Sequence, residues 1–365
     1  MIKTRRQLIA SRREVLASLA ALGATSLVPA GAWAQAGAPS AAAKPAPRTV
    51  IDCHFHYYSP EYKAAWQAFL EKEKQPGLPP FVKNWTPQWA VEQMDKAGIG
   101  ISVMSLPSTP GVWFGADPDG MVKMSRLCNE FAAKMVHDYP GRFGLFASLP
   151  MPNVAASLKE IDYVFGTLKA DGINLMTSFG DKWPGDPAYD EVFQELNRRK
   201  SIVYFHPYAP NCCGGLMPAV GESWIEYPYD TGRTVTNLLF TGSLARFRDI
   251  KWMFSHGGGA IPYLAGRIRN QSKIAKNLAQ VAPNGTDYEL QRLYYETANA
   301  AYPPTLAALT KFVPTSQILY GSDLPYLSEE QNLEGLRSYG FSKSTLAAIE
   351  HGNAMKLMPR LKIKA

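Results

Sequence analysis

Histidines and one aspartate stand where short apolar runs of this chain end. His54 and His56 follow the run TVIDC, and His206, His256 and Asp323 close three further runs. On an extended strand, residues two apart point to the same side, so the imidazoles of His54 and His56 can face one point. Three imidazoles with a carboxylate suit Zn²⁺ or another divalent transition ion. The alternative, a set of buried hydrogen-bonded histidines, explains less well why four of the six histidines follow apolar runs.

The segments that must position these residues alternate between apolar runs and amphipathic stretches. We predict strands at 49–53, 100–106, 142–149, 172–176, 201–206, 250–255, 292–297 and 317–322. We predict helices at 86–97, 119–138, 153–170, 187–200, 231–247, 260–279, 303–312 and near 329–359. Apolar strands separated by helices indicate a parallel sheet covered by helices. Eight such units predict an α/β fold of the (β/α)₈ or TIM-barrel type, whose chemistry lies where strands end.

Composition excludes several classes of protein. The chain has 365 residues, is 46% hydrophobic and carries a formal charge of +7. The first 34 residues account for +4 of that charge, and no basic run follows them, so nucleic acid is not an expected partner. No glycine-rich phosphate-binding motif follows any predicted strand, so we expect no organic cofactor. The composition also excludes a disordered chain, collagen-like repeats and a disulfide-rich small scaffold.

The N-terminus has the pattern of an export signal. Residues 11–16 are SRREVL, an Ala/Leu-rich stretch follows, and Ala32-Trp33-Ala34 ends it. A twin-arginine pair, a short apolar segment and a small-x-small site predict a Tat signal over residues 1–34, cleaved near Ala34. An Ala/Pro-rich linker at 35–48 and a barrel domain at 49–365 would follow. We therefore predict a periplasmic protein without stable membrane insertion, because the apolar stretch is short for a membrane span.

The four cysteines give little functional information. The number of cysteines is even, and an oxidising compartment would allow them to pair; they are Cys53, Cys128, Cys212 and Cys213. A Tat substrate folds in the reducing cytoplasm, however, and no Cys-x-x-Cys spacing is present. We expect buried or loop thiols, with contact of Cys212 and Cys213 to the site as a less favoured alternative.

Several motifs together resemble one known family. They are His54-x-His56, Phe205-His206-Pro207, Ser255-His256-Gly257-Gly258-Gly259, Tyr320-Gly321-Ser322-Asp323, the segment 142–150 and Tyr295-Glu296-Thr297-Ala298. The chain is similar to the amidohydrolase-2 branch of the amidohydrolase superfamily over about residues 50–358. This branch contains metal-dependent decarboxylases of aminocarboxymuconate semialdehyde, γ-resorcylate and methylsalicylate, and the stretches look closest to the last group.

The resemblance implies roles for particular residues. It makes His54, His56, His206 and Asp323 the ligands of one divalent metal ion, with His256 and Asp323 catalytic. Segment 172–178 has no lysine that could bridge a second ion. Zn²⁺ suits the histidine-rich ligands best, and some relatives use Mn²⁺. Arg267 matches an arginine that reaches the neighbouring subunit's site, which implies a homodimer; a solvated surface arginine is the alternative.

The predicted reaction is loss of carbon dioxide from a small aromatic or muconate-like carboxylic acid. A muconate-type diacid is disfavoured, because Lys83-Asn84 stands before Trp85 where that enzyme has a substrate-binding arginine. The same ligands could instead activate water to hydrolyse an amide, a lactone or a β-diketone. A non-catalytic periplasmic metal- or ligand-binding protein is a third hypothesis. Aromatic residues predicted near the strand ends favour a flat ligand; the candidate substrate contacts are Tyr57, Trp113, Phe179, Tyr208 and Tyr326, with Arg267.

Overall fold

Eight parallel strands form the centre of the fold. The structure is a computed structural model and describes residues 48–107, 117–274 and 276–363. The strands are β1 (Val50–His56), β2 (Ile99–Ser105), β3 (Phe143–Ser148), β4 (Gly172–Met176), β5 (Ile202–His206), β6 (Lys251–Phe254), β7 (Tyr294–Glu296) and β8 (Ile318–Leu319). Each of the eight predicted strands is present. The predicted signal at 1–34, most of the linker at 35–48 and Trp113 lie outside the described residues.

The strands follow one another around a nearly closed barrel. Neighbours in sequence are neighbours in the sheet from β1 to β8, and all seven pairs are parallel. Between β8 and β1 the backbone N–H of Cys53 donates to Tyr320 O at 2.9 Å, and that of His56 donates to Leu324 O at 2.9 Å. The prediction of a (β/α)₈ barrel is therefore confirmed.

Helices connect the strands and cover the outside of the barrel. They are α1 (Pro60–Lys72), α2 (Pro80–Lys83), α3 (Pro87–Ala97), α4 (Pro118–Asp138), α5 (Val154–Gly166), α6 (Asp190–Arg198), α7 (Glu222–Phe240), α8 (Ser243–Arg246), α9 (Ile261–Ser272), α10 (Leu278–Val281), α11 (Thr286–Gln291), α12 (Pro303–Phe312), α13 (Glu329–Ser338), α14 (Lys343–Ala347) and α15 (Asn353–Leu357). No helix of the described residues is long and apolar enough to cross a membrane.

Local signals explain helix α3, which the sequence predicts correctly, whereas two other helices depart from the prediction. α3 begins after Thr86, whose side chain accepts a hydrogen bond from Trp89 N, and it ends at Gly98 with φ +76°. Helix α1 was not predicted. Helix α7 begins at Glu222 rather than at 231, and it continues through Pro228, a residue that ordinarily ends a helix. A tertiary contact uses this position: Ala260 N donates to Pro228 O at 3.0 Å.

Apolar side chains fill the barrel interior below the ends of the strands. One buried cluster consists of Ile51, Cys53, Ile101, Val103, Phe146, Ile202, Tyr204, Met253 and Leu319 from the strands, with Ala354, Met358 and Leu361 from the C-terminal segment. Burying one large apolar side chain, such as that of isoleucine or phenylalanine, stabilises the fold by about 1.5–3 kcal/mol relative to leaving it exposed. This cluster supports the functional residues above it.

Candidate metal centre and active site

The end of β1 carries two of the candidate ligands. The pairing of β1 with β2 shifts register between Asp52 and Phe55, which is where His54 lies. His54 Nε2 and His56 Nε2 are 3.1 Å apart, and both side chains are fully buried. Such a close approach of two imidazole nitrogens means that both rings face one point, as the spacing predicts.

Two other strands complete the group. His206 ends β5, and Asp323 follows β8, so that parallel strands bring both to the same end of the barrel. One donor atom from each of His54, His56, His206 and Asp323 lies within 4.8 Å of the others, and all four residues are buried. Asp323 Oδ1 is 3.3 Å from His54 Nε2 and 3.1 Å from His56 Nε2. The structure thus brings together the four residues that the sequence proposes as ligands.

The second ring nitrogen of each histidine faces an oxygen acceptor. His54 Nδ1 lies 2.7 Å from Glu296 Oε1, His56 Nδ1 lies 3.3 Å from Ser105 O, and His206 Nδ1 lies 3.0 Å from Pro207 O. An acceptor at Nδ1 favours the tautomer that leaves the Nε2 lone pair free. All three histidines therefore present Nε2 to the same centre.

His256 lies beside this group at the start of the loop after β6. Its Nε2 is 3.4 Å from Asp323 Oδ2, and the Asn299 side chain donates to the same oxygen at 3.1 Å. His256, Asn299 and Asp323 have φ values of +54°, +53° and +69°. Left-handed backbone costs non-glycine residues about 1–3 kcal/mol and is concentrated at functional sites. These conformations bring the His256 and Asn299 side chains to one oxygen of the Asp323 carboxylate.

Burial and neighbouring charges set the protonation of the candidate ligands in the absence of a metal ion. Burial lowers the pKa of His54, but the carboxylates of Glu296 and Asp323 outweigh it and raise this pKa to about 10. Burial lowers the pKa of His56, and burial together with the neighbouring histidines takes that of His206 well below its usual value. For Asp323, burial acts to raise the pKa, but His54 and the hydrogen-bonding histidines hold it well below its usual range. One carboxylate is thus ionised beside two neutral imidazoles, and metal binding would release the proton of His54.

The donor set fits a divalent metal ion. His206 Nε2 is buried and has no hydrogen-bond partner among the residues described. Leaving a buried polar nitrogen unpaired costs about 1–3 kcal/mol, so the protein gains when this nitrogen binds a cation. Three imidazole nitrogens and one carboxylate oxygen are also the donor types that Zn²⁺ takes in a four-coordinate or open site.

The predicted aromatic contacts occupy different environments. Tyr326 is 41% exposed, and its ring lies edge-on to His56 at 5.6 Å between ring centroids. Tyr208 is half-buried in the loop after β5. Tyr57 and Phe179 are buried: Tyr57 stacks on Phe131, and Phe179 packs against Tyr189. Tyr326 therefore borders the centre, and substrate contact by Tyr326 and by the other residues of this set stays a prediction.

Arg267 and the four cysteines are not among the converging ligands. Arg267 is exposed on α9. Cys53 and Cys128 are buried free thiols, as expected. Cys212 and Cys213, however, form a disulfide with each other, whereas the sequence favours loop thiols. Bond formation between adjacent residues needs only local proximity, so the absence of a Cys-x-x-Cys spacing did not exclude it.

Glu296 and Asn299 contact candidate ligands and were not among the predicted site residues. Glu296 bonds His54, and Asn299 bonds Asp323. A signal for Glu296 was present, because it is a charged residue at the end of an apolar predicted strand, where burial without a partner is costly. Asn299 gave no comparable signal, since asparagine is common in loops.

Comparisons with known proteins agree with this geometry. Residues 51–360 match the amidohydrolase family Amidohydro_2. The 6-methylsalicylic acid decarboxylase acuB of Aspergillus aculeatus is 32% identical over 330 residues, which cover 86% of this chain and 96% of the relative. The gamma-resorcylate decarboxylase of a Polaromonas species is 25% identical, covering 73% of this chain and 85% of the relative.

A solved structure shows the same fold at lower sequence identity. The 5-carboxyvanillate decarboxylase of Novosphingobium aromaticivorans, complexed with manganese and a nitrobenzoic acid, has a TM-score of 0.77. It is 16% identical and is matched over 86% of this chain and 96% of its own. The family match spans most of the barrel and includes every candidate ligand. The chain belongs to the amidohydrolase family.

Proposed function

We propose that this protein is a metal-dependent, non-oxidative decarboxylase of a small aromatic acid with a hydroxyl group ortho to its carboxylate. The observation that carries the proposal is the convergence of four buried donor atoms within 4.8 Å, with His256 directly beside them. The similarity to decarboxylases of 6-methylsalicylic and γ-resorcylic acids supports this reaction and this class of substrate.

His54, His56, His206 and Asp323 would hold the ion, which would act as a Lewis acid that polarises the bound substrate. We propose Zn²⁺ because imidazole-rich sites suit it. Mn²⁺ is the competing ion, since the carboxyvanillate enzyme binds manganese. Elemental analysis of natively purified protein decides between them. About one zinc ion per chain supports the proposal, whereas about one manganese ion per chain would show that Mn²⁺ is the bound ion instead.

In this proposal His256 and Asp323 would handle the proton that the reaction consumes. The His256 side chain is 12% exposed, so it can exchange protons with solvent, and its Nε2 faces Asp323 Oδ2. Protonation of the ring carbon that bears the carboxylate comes first. The bond from this carbon to the carboxylate then breaks, its electron pair restores the aromatic ring, and carbon dioxide leaves. A group that donates and recovers one proton contributes about 10²–10⁴-fold to such a rate.

The wall beside the ligands suits a flat ring. Tyr326 contacts both His56 and Phe81 through its ring, with centroid distances of 5.6 and 5.2 Å. Two aromatic side chains at the edge of the centre provide an apolar surface against which a benzoate can pack. A substrate carboxylate is then directed toward the ligands rather than toward this wall.

A carbon dioxide release assay tests the proposal. The protein, loaded in turn with Zn²⁺ and Mn²⁺, is offered ortho-hydroxybenzoates including 6-methylsalicylate, and then lactones, amides and β-diketones. Release of carbon dioxide with stoichiometric formation of the phenol supports the decarboxylase. Hydrolysis of one of these substrates without release of carbon dioxide would show that the protein is a hydrolase instead. Metal binding without any turnover would favour a binding protein.

We also propose a homodimer in which Arg267 reaches the partner's site. Tyr263 and Arg267 are one helical turn apart on α9, and Tyr263 is 86% exposed. Trp224 and Tyr229 on α7 are 72% and 49% exposed, and Tyr229 and Leu264 line a groove of about 500 Å³. Exposed large apolar side chains grouped in this way mark interaction surfaces.

Mixing two inactive variants tests this arrangement. Arg267→Ala and His256→Ala are purified separately, unfolded and refolded together. If Arg267 acts across the interface, the mixed dimer has one intact site, and activity returns to about a quarter of the native value. No recovery, or a monomer in light scattering, contradicts the dimer as proposed.

Export by the Tat pathway is our proposal for the location. Its support is the twin-arginine segment and the small-x-small site that precede the barrel. Replacing Arg12 and Arg13 together by lysine should retain the protein in the cytoplasm. The matched control replaces Arg5 and Arg6 by lysine and should leave export intact. Periplasmic delivery of the first variant would contradict the proposal.

A further inference from the structure

We infer that Glu296 is a positioning residue that couples the candidate ligand His54 to the loop that carries His256. The inference rests on the proposed metal site, but not on which reaction the enzyme catalyses. Glu296 is fully buried at the end of β7, and it is not one of the four converging ligands.

The Glu296 carboxylate makes three short contacts with two different parts of the site. Oε1 accepts hydrogen bonds from His54 Nδ1 at 2.7 Å and from the backbone N–H of His256 at 2.8 Å. Oε2 accepts a hydrogen bond from the backbone N–H of Ala298 at 2.6 Å. One oxygen thus joins a ligand ring to the backbone of the proposed proton donor, and the other oxygen keeps the carboxylate from rotating.

Gly321 leaves the space that the Glu296 carboxylate occupies. A Cβ atom at Gly321 would lie 1.9 Å from Glu296 Oε2 and 2.9 Å from His54 Cβ. Any residue larger than glycine at this position of the chain would displace Glu296 or His54. Among the described residues, the ion pair of Glu296 is with His54, and no lysine or arginine competes for it.

The three ligand histidines differ in what holds them. His56 and His206 face neutral backbone carbonyls, at 3.3 and 3.0 Å, whereas His54 faces a carboxylate at 2.7 Å. A carboxylate fixes the ring and makes the imidazole a stronger donor to a metal ion than a carbonyl does. Glu296 therefore controls both the orientation of His54 and its strength as a ligand.

The variant Glu296→Gln separates this role from simple space filling. If the glutamine oxygen accepts from His54 and His256, its amide group faces the Ala298 N–H, which then lacks an acceptor. If the amide is reversed, its N–H groups face His54 Nδ1 and favour the tautomer with the proton on Nε2, which cannot bind metal. Either orientation breaks a contact while the volume is conserved.

The experiment measures metal affinity, not turnover, by competition of Zn²⁺ between the apoprotein and a chromophoric chelator. Glu296→Gln should raise the dissociation constant for Zn²⁺ by about 10–100-fold, the usual effect of removing such a partner. Glu296→Asp keeps the charge and should recover part of this loss. The Co²⁺-loaded Gln variant should show an altered ligand-field absorption spectrum.

The matched control is Glu289→Gln, another fully buried glutamate, which pairs with Arg248 and Arg292 away from the site. This control should lower thermal stability and leave the zinc dissociation constant unchanged. A zinc affinity of folded Glu296→Gln within about twofold of native would overturn the inference. If neither Glu296 variant folds, the proton spectrum of zinc-loaded native protein replaces them. A strongly deshielded, slowly exchanging Nδ1 proton of His54 supports the inference, and its absence overturns it.

These outcomes are separate from those of the decarboxylase proposal. Native protein that binds zinc but releases no carbon dioxide contradicts the reaction and leaves the role of Glu296 to be decided by affinity. Native protein that binds no metal ion contradicts the metal site, and the inference fails with it.

Discussion

The two ends of the barrel interior are built from different kinds of side chain. Toward the N-terminal ends of the strands, the interior contains a cluster of buried apolar side chains. Toward the C-terminal ends it contains the polar set His54, His56, His206, Glu296 and Asp323. Tyr204 joins the two, because its ring stacks on Phe146 at 5.4 Å and lies edge-on to His54 at 5.6 Å.

The difference shows how one set of strands can provide stability and reactivity separately. The apolar end gains free energy from burial and needs no exact geometry. The polar end buries charged and titratable groups, which is costly unless each has a partner. Its contacts, such as Glu296 with His54, reduce that cost and hold donor atoms in place for a metal ion. Substitutions at the polar end should therefore lower turnover or metal affinity, whereas substitutions at the apolar end should lower the free energy of unfolding.

The largest effect should come from His256→Ala at the polar end. Loss of the proposed proton donor should lower kcat by about 10²–10⁴-fold. The zinc content should stay near one per chain, because His256 is not among the four converging ligands. Steady-state kinetics and elemental analysis measure both quantities. Substantial turnover in this variant would remove His256 from the mechanism.

Phe146→Ala should show the reverse signature at the apolar end. Truncation of a fully buried phenylalanine should lower the free energy of unfolding by about 3–5 kcal/mol, through lost burial and a new cavity. Zinc affinity of the folded fraction should be unchanged. Denaturant unfolding and chelator competition test this, and a loss of affinity would mean that the two ends are energetically coupled through Tyr204.

Removal of the metal ion should affect the polar end while the fold persists. Chelation should abolish turnover and reduce stability by about 2.7 kcal/mol relative to protein held at metal concentrations 100 times the dissociation constant. Circular dichroism should show an intact barrel, because the apolar cluster does not depend on the ion. A globally unfolded apoprotein would contradict the proposed division.

Ile101→Val should produce the smallest effect. Removing one methylene group from a 3% exposed residue of the apolar cluster should cost about 0.5–1.5 kcal/mol and leave kcat unchanged. Thermal unfolding and the carbon dioxide assay provide the two measurements. A clear decrease in kcat would show that a change in the packing of the apolar cluster alters the positions of the metal ligands.

Much of the architecture could be predicted because it depends on local patterns. The eight apolar runs became eight strands, and Thr86 and Gly98 bounded α3 as expected. The predictions were less accurate where distant contacts override local preference. Helix α7 tolerates Pro228, whose carbonyl oxygen accepts a hydrogen bond from Ala260 N.

Sequence alone determined which residues stand at the ends of strands, because hydrophobic periodicity and the two-residue repeat of a strand are local properties. It therefore indicated His54, His56, His206, His256 and Asp323 as candidates. Only the tertiary structure decided how their atoms meet. His54 and Glu296 are 242 residues apart in the chain, yet their side chains are 2.7 Å apart. Closure of the barrel creates that contact, and no local pattern encodes it, because it depends on the register of every intervening strand.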